Sequence, residues 1–418
     1  MEQLNHKRFL WGTATSSHQV EGGNFYNDWW LWEKEGRIKT GDSSHPACEH
    51  YQRYKEDFDL IKFLNNNSYR FSIEWSRIEK EEGKFDQNEI EHYVNMLREM
   101  KIRDIEPVLT LHHFTIPQWL YQKGGFENPQ FADYFSRFVS KVVPYYKEFT
   151  NYWITINEPV IIALMGYIFG DWPPGVKDRK RAFSILRNLV FSHAKAYDII
   201  KEEKKESLIS IAHNMTILKP ATRNPLHHIA SCTLNNWFNM AFLKTLTEGS
   251  IYPPIGNKSF HSELKNKLDF IGLNYYTRAF LKFTIKGVAE FKRKNVPRSD
   301  FGFEIYPEGL YEILMKLKSF GLPVMITENG IADHEDKYRP DFLKKSLLAV
   351  SRAIKKGLDI LGYLHWSLMD NFEWVEGYSM KFGLFETNFL TQERKPRESA
   401  YIYQKASLIN PYTDSFDI

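Results

Sequence analysis

Two short strings set a carboxylate beside an amide. Thr155-Ile156-Asn157-Glu158-Pro159 and Ile326-Thr327-Glu328-Asn329-Gly330 each close an apolar run. A charge at the end of a buried-looking run is costly unless it is paired or does chemistry. Two carboxylates facing each other across one pocket suit glycoside hydrolysis. At a separation of about 5 Å, one attacks as a nucleophile and the other serves as acid, then base. That division of labour needs their pKa values pushed apart. Arg70, if it points inward, supplies a cation for the ionised nucleophile. Burial and repulsion by the first carboxylate keep the second one protonated. Taken alone, Glu158 could equally be a carboxylate at a helix N-terminus, ahead of Pro159.

Elements must bring these groups together. Strand-length, nearly continuous apolar runs occupy 9–15, 69–74, 107–113, 152–158, 208–214, 269–274, 323–328 and 360–366. Such runs suit strands buried on both faces of a parallel sheet. Amphipathic stretches lie between them, including 88–100, 131–149 and 340–356. Eight strands alternating with helices predict an α/β fold, a single (β/α)8 TIM barrel spanning 1–418. A doubly wound open sheet is the rival. Most runs end in a polar or aromatic group: Glu74, His112 and His113, Asn157 and Glu158, Asn214, Asn274, Glu328, Trp366. In a parallel barrel, the C-terminal ends of the strands share the face where active sites form.

Strand geometry sorts some of these candidates. Adjacent residues point to opposite faces, so only one of His112 and His113 can face the mouth, which argues against a two-histidine metal site. Asn274 and Tyr276 fall on one side if their strand continues. Trp366 and Trp374 could be core packing. Glu373, between Phe372 and Trp374, needs hydrogen-bond donors, and sugar hydroxyls are donors.

Bulk properties narrow the class. The chain has 418 residues, 43% hydrophobic and 26% charged, with a net charge of only +3. That balance argues against nucleic acid or an anionic membrane surface as partner. Aromatics reach 16%, enough to fill a large core or to offer stacking platforms for flat ligand faces such as sugar rings. Cys48 and Cys232 read as free thiols. The N-terminus has no apolar signal core, and the apolar stretch 160–170 is too short to span a bilayer, so a cytoplasmic location is expected.

Longer motifs carry a resemblance. TINEP (155–159) and ITENG (326–330) look like the two signatures of family 1 glycoside hydrolases, the retaining β-glucosidases and β-glycosidases. FLWGTATSSHQVEG (9–22), YRFSIEWSRI (69–78), LHHFTIPQWL (111–120), GLNYYT (272–277) and HWSLMDNFEW (365–374) follow in the family's order. The compact length is most similar to the shorter β-glycosidases, archaeal ones included.

The resemblance implies roles. Glu328 matches the nucleophile and Glu158 the acid/base. Arg70, Asn274 and Tyr276 match groups that hold the nucleophile. Gln19, His113, Asn157 and Glu373 match the polar ring around the non-reducing sugar, with Trp366, Trp374 and Phe382 as its aromatic walls. The chain departs from the family pattern at His112, Phe114, Lys381 and Asn388, none of them a catalytic position. The implied activity is exo-acting hydrolysis of small-molecule β-glycosides or short oligosaccharides, with no cofactor and no metal. A transglycosidase is the alternative, with Trp119, Phe169, Trp172 and Tyr306 as candidates on the acceptor side. A non-catalytic sugar-binding protein would lack one of the two carboxylates, and both are present.

Overall fold

The computed structural model describes residues 8–285 and 287–414. Residues 1–7, part of the stretch read above for a signal core, lie outside the described residues. Eight strands form the centre: β1 (Leu10–Ala14), β2 (Ser68–Ser72), β3 (Glu106–His112), β4 (Tyr152–Asn157), β5 (Leu208–Pro220), β6 (Ile271–Thr284), β7 (Val324–Asn329) and β8 (Ile360–Trp366). Each pairs in parallel with the next. β8 pairs in parallel with β1, Gly12 opposite Leu364, and the sheet closes into a ring. Closure rules out the open doubly wound alternative.

Helices fill the crossovers: α1 (His50–Phe63), α2 (Gln87–Ile102), α3 (Phe131–Tyr146), α4 (Arg179–Glu203), α5 (Ala241–Glu248), α6 (Gly309–Leu317) and α7 (Arg339–Lys355), with α8 (Glu398–Ala406) after β8. Their sequences explain them. In α3, Phe131, Phe135, Phe138, Val142 and Tyr146 recur at three- and four-residue spacing, and all are buried. Asp86 caps α2 by accepting from the Asn88 amide at 3.0 Å, and Asp178 caps α4 from Lys180 at 2.7 Å.

Two apolar layers result. A large one lies between ring and helices. A smaller one, including Leu10, Val108, Ile154, Phe270 and Met325, plugs the ring's interior. Above that plug the inward side chains turn polar, beginning with Arg70.

Three C-terminal strand ends differ by two residues or more from those expected. β2 stops at Ser72, and Glu74 instead caps the short helix Trp75–Ile78. Its carboxylate is occupied by Ser17 Oγ at 2.9 Å, Thr115 Oγ1 at 3.1 Å and Ser76 Oγ at 2.6 Å, so it is a structural acceptor. β5 and β6 run past 214 and 274, because no glycine or proline interrupts MTILK or YTRAFLKFT. They continue as a ribbon, and Gly287–Glu290 pairs back antiparallel on β6.

Candidate active site

The catalytic candidates meet at the C-terminal ends of the strands. Glu328 is the penultimate residue of β7, just after a register shift against β6 between Ile326 and Glu328 that re-aims its side chain. Arg70 rises from β2, fully buried, and donates from Nη1 to Glu328 Oε1 at 2.6 Å. The other carboxylate oxygen accepts the Tyr276 hydroxyl. Arg70 is itself fixed by Thr110 Oγ1 at 3.0 Å and Asn157 Oδ1 at 2.7 Å. Burial pushes the Glu328 carboxyl upward in pKa, and the Arg70 charge, the Tyr276 hydroxyl and the Asn274 amide oppose it. The net shift is upward, so both carboxyls are raised and not pushed to opposite sides of the ordinary value as expected, with Arg70 and Tyr276 as the partners that draw Glu328 back toward its ionised form.

Glu158 follows β4 and is set differently. It has a left-handed backbone (φ 44°) and leads into the short helix Pro159–Ala163. Its Oε1 accepts two amides, Asn274 Nδ2 at 2.8 Å and Asn214 Nδ2 at 2.9 Å. With Oε1 doubly engaged, a proton on Glu158 belongs on Oε2. Burial first, then the Glu328 charge, raises its pKa to about 8. Asn274 is thus a direct partner of Glu158, and it reaches the nucleophile's strand through Thr327 Oγ1, which donates to its oxygen at 2.7 Å.

The polar ring assembles largely as expected. Asn157 turns its oxygen to Arg70, so its amide nitrogen faces His113 Nε2 at 3.1 Å. Guanidinium can only donate, which fixes that orientation. Burial holds His113 well below its ordinary pKa, so Nε2 of the neutral ring is the acceptor. The imidazole lies nearly parallel to Trp366 (21°) and Trp374 (13°). His112 turns away and packs edge-on against Phe126 and Phe135. Tyr276 and Phe382 face the same cavity, of about 170 Å³.

Glu373 faces the cavity too, its pKa raised to about 8 by burial. Gln19 stands behind it: its Nε2 reaches Glu373 Oε2 at 3.0 Å and the Phe372 carbonyl at 2.9 Å, while Ser16 Oγ donates to its oxygen. Gln19 does not line the cavity and positions Glu373.

Of the four acceptor-side candidates, Trp172 alone lines the cavity. Trp119 donates to the Glu79 carbonyl and packs edge-on against Trp75, Tyr306 hydrogen-bonds Glu312, and Phe169 is 49% exposed. Asn214's bond to Glu158 was not foreseen, nor were Ile161, Met165, Phe301 and Phe303 as lining residues. Ile161 and Met165 fall three and seven residues after Glu158 on the helical segment it starts, a legible signal. Phe301 and Phe303 sit in a loop with no periodicity to read. Three lining residues, Phe114 (φ 72°), Glu158 (φ 44°) and Trp374 (φ 52°), hold left-handed backbone, a strain of about 1–3 kcal/mol each. Among the described residues no group of three metal-ligating side chains occurs.

A carboxyl clamped by a cation and a phenol and a carboxyl engaged by amides therefore share a cavity walled by indoles, an arrangement fit for attack and proton transfer at one sugar. Residues 1–410 match the profile of Glycosyl hydrolase family 1. The chain is 35% identical to "Beta-glucosidase A" of Thermotoga maritima over 97% of this chain and 98% of that one. It is 28% identical to a "Beta-galactosidase" of Pyrococcus woesei, over 94% and 95% of the two chains. Among solved structures, "beta-glycosidase from Pyrococcus horikoshii" superposes with a TM-score of 0.89 at 37% identity, covering 96% of this chain and 93% of that one. The Thermotoga maritima β-glucosidase in complex with glucoimidazole gives 0.91 at 34% identity, over 95% and 97%. The chain belongs to glycosyl hydrolase family 1 and is a glycoside hydrolase of the β-glycosidase type.

Proposed function

We propose that this enzyme is an exo-acting, retaining β-glycosidase on a (β/α)8 barrel, formed as one domain over 1–418. It removes terminal β-D-glucosyl residues, with galactosides and fucosides as further substrates. The observation that carries this reading is that Glu158 and Glu328 share one cavity, one engaged by amides and raised to about 8, the other clamped by a cation and a phenol. The two carboxyls stand close enough across the cavity for the charge of Glu328 to raise Glu158. That favours the short separation of a retaining pair over the wider gap that seats a water between inverting carboxylates.

In the first step a Glu328 oxygen attacks the anomeric carbon. The bond to the leaving oxygen breaks, and the Glu158 proton passes to that oxygen. Arg70 and Tyr276 release their hold on Glu328 charge as the ester forms. In the second step Glu158, now ionised, takes a proton from water. The water oxygen attacks the anomeric carbon, the ester bond breaks, and the configuration is restored. An alcohol or sugar in place of water gives transglycosylation. The buried inner end, made by Trp366, Trp374 and Phe382, supports exo action. The relatives named as β-glucosidase and β-galactosidase support both sugars.

Intact-protein mass after incubation with an activated 2-deoxy-2-fluoro-β-glucoside, followed by peptide mapping, tests the proposal. An adduct on the Glu328 peptide is expected. An adduct only with the galacto probe keeps the chemistry and changes the sugar. No adduct with either probe on folded protein refutes the retaining mechanism.

A further inference from the structure

A second cavity, of about 300 Å³, lies behind one wall of the catalytic one. The two share no lining residue, but they share two segments of chain. In the first, Phe114 faces the catalytic cavity and Ile116 the second. In the other, Met165 and Trp172 face the catalytic cavity, and Tyr167 and Pro174 the second. The second cavity is the larger, against about 170 Å³ for the one proposed to seat a sugar.

Its floor is buried and fixed. Asp28, Ile116, Phe126 and Tyr167 are each at most 3% exposed. Asp28 and Ile116 hold each other: the Ile116 amide donates to Asp28 Oδ1 at 2.9 Å, and the Asp28 amide to the Ile116 carbonyl at 3.0 Å. Tyr167 is 1% exposed, yet among the described residues nothing hydrogen-bonds its hydroxyl. A buried hydroxyl left without a partner costs about 1–3 kcal/mol. Burial first, then the charges of Glu127 and Asp28, push this hydroxyl well above its ordinary pKa, so it stays a phenol able to donate. At the rim, Arg181 grips Glu127 with two bonds, Nε to Oε2 at 2.7 Å and Nη2 to Oε1 at 2.6 Å, and their charges cancel. Tyr121 and Pro174, both half-buried, complete the opening. An anion would meet Asp28 here, and a wholly apolar molecule would leave Asp28 and Tyr167 unpaired. A neutral ligand with several hydroxyls and a flat C–H face satisfies the carboxyls, the guanidinium and the phenols, and lies against the rings of Phe126 and Pro174.

We propose that this cavity is a second sugar site, which takes one free hexose between Tyr121 and Tyr167 with its hydroxyls on Asp28, Glu127 and Arg181. The choice of a hexose over another polyol rests on the function proposed above, since that reaction frees one at the neighbouring cavity. Tyr167 carries the readout. With 3-fluorotyrosine at position 167 alone, added glucose or galactose should shift the ¹⁹F resonance saturably at millimolar concentration. Glu373→Ser, which weakens sugar contacts in the catalytic cavity, should leave that titration unchanged. Arg181→Ala should weaken it by about three- to tenfold, the loss of one hydrogen bond. Arg181 is exposed, so this variant folds. No shift up to about 0.5 M of either sugar means a cavity for water only and overturns the proposal. A shift that Glu373→Ser abolishes is relayed from the catalytic cavity and overturns it too, as does glycerol binding as tightly as the hexose. Each of these results leaves the proposed function standing, because the resonance reports Tyr167 and not the reaction, and adduct formation on the Glu328 peptide decides that reading by itself.

Discussion

Replacing Glu328 with glycine removes the attacking oxygen while leaving Arg70 in place. Hydrolysis should fall by on the order of 10⁴–10⁶-fold, and azide should restore turnover as the α-glycosyl azide, detected by NMR. Glu158 predicts a pH effect. The acid must be protonated to serve a poor leaving group, and its pKa stands at about 8. So kcat/KM for alkyl glycosides is retained below that value and lost as pH rises through it. Glu158→Ala should cost about 10²–10⁴-fold on those substrates, abolish the alkaline limb, and cost far less with dinitrophenyl glycosides. Glu373→Ser should cost about 10–100-fold with glucosides and galactosides, which carry a 6-hydroxyl, and least with fucosides, which lack one. Steady-state kinetics on the three sugars decides it. Both candidate glutamates were legible because an Asn-Glu or Glu-Asn pair ends an apolar run. Gln19 was legible as a polar candidate but not as fully buried: only the packed structure shows it bonded to Glu373, Asn371 and the Phe372 carbonyl. Phe301 and Phe303 left no signal, since loop aromatics obey no period.

At the level of elements, the glycine after Glu328-Asn329 has a packing reason. A Cβ on Gly330 would lie 1.9 Å from the Trp366 carbonyl oxygen, so β7 and β8 can approach here only if residue 330 has none. Gly330→Ala should destabilise the fold by about 1–3 kcal/mol, read by urea unfolding, and raise KM by displacing Trp366 from the cavity wall. All eight strands were visible as apolar runs, because a strand buried on both faces cannot afford polar residues. Their ends were less so. The β5–β6 ribbon extends into solvent with alternating polarity, and its limit is set by partner pairing, not by composition. Glu74 misled for a related reason: a carboxylate after a strand can cap the next helix as well as face the mouth.

Considered as a whole, the molecule holds acids whose site opposes the stability of the fold. Glu373 is raised to about 8, against an ordinary carboxyl near 4.3 in the unfolded chain. A raised acid contributes stability that is complete below the unfolded value and lost as pH rises through the folded one. Glu373→Gln cannot ionise, so it should match the parent near pH 4 and exceed it by on the order of 1–3 kcal/mol at pH 8, seen in thermal melts at both pH values. The ring has a consequence during synthesis. Gly12 on β1 pairs with Leu364 on β8, and Trp11 Nε1 donates to the Ile409 carbonyl at 3.0 Å. At 5–20 residues per second, the ribosome needs roughly 20–70 s to deliver β8 after β1 has emerged. Throughout that interval the outer edge of β1 lacks its β8 partner and is an unpaired row of amides and carbonyls, open to pairing with a neighbouring polysome's product. Starvation for a tRNA used in α7 would lengthen that interval, while the same pause after β8 would not.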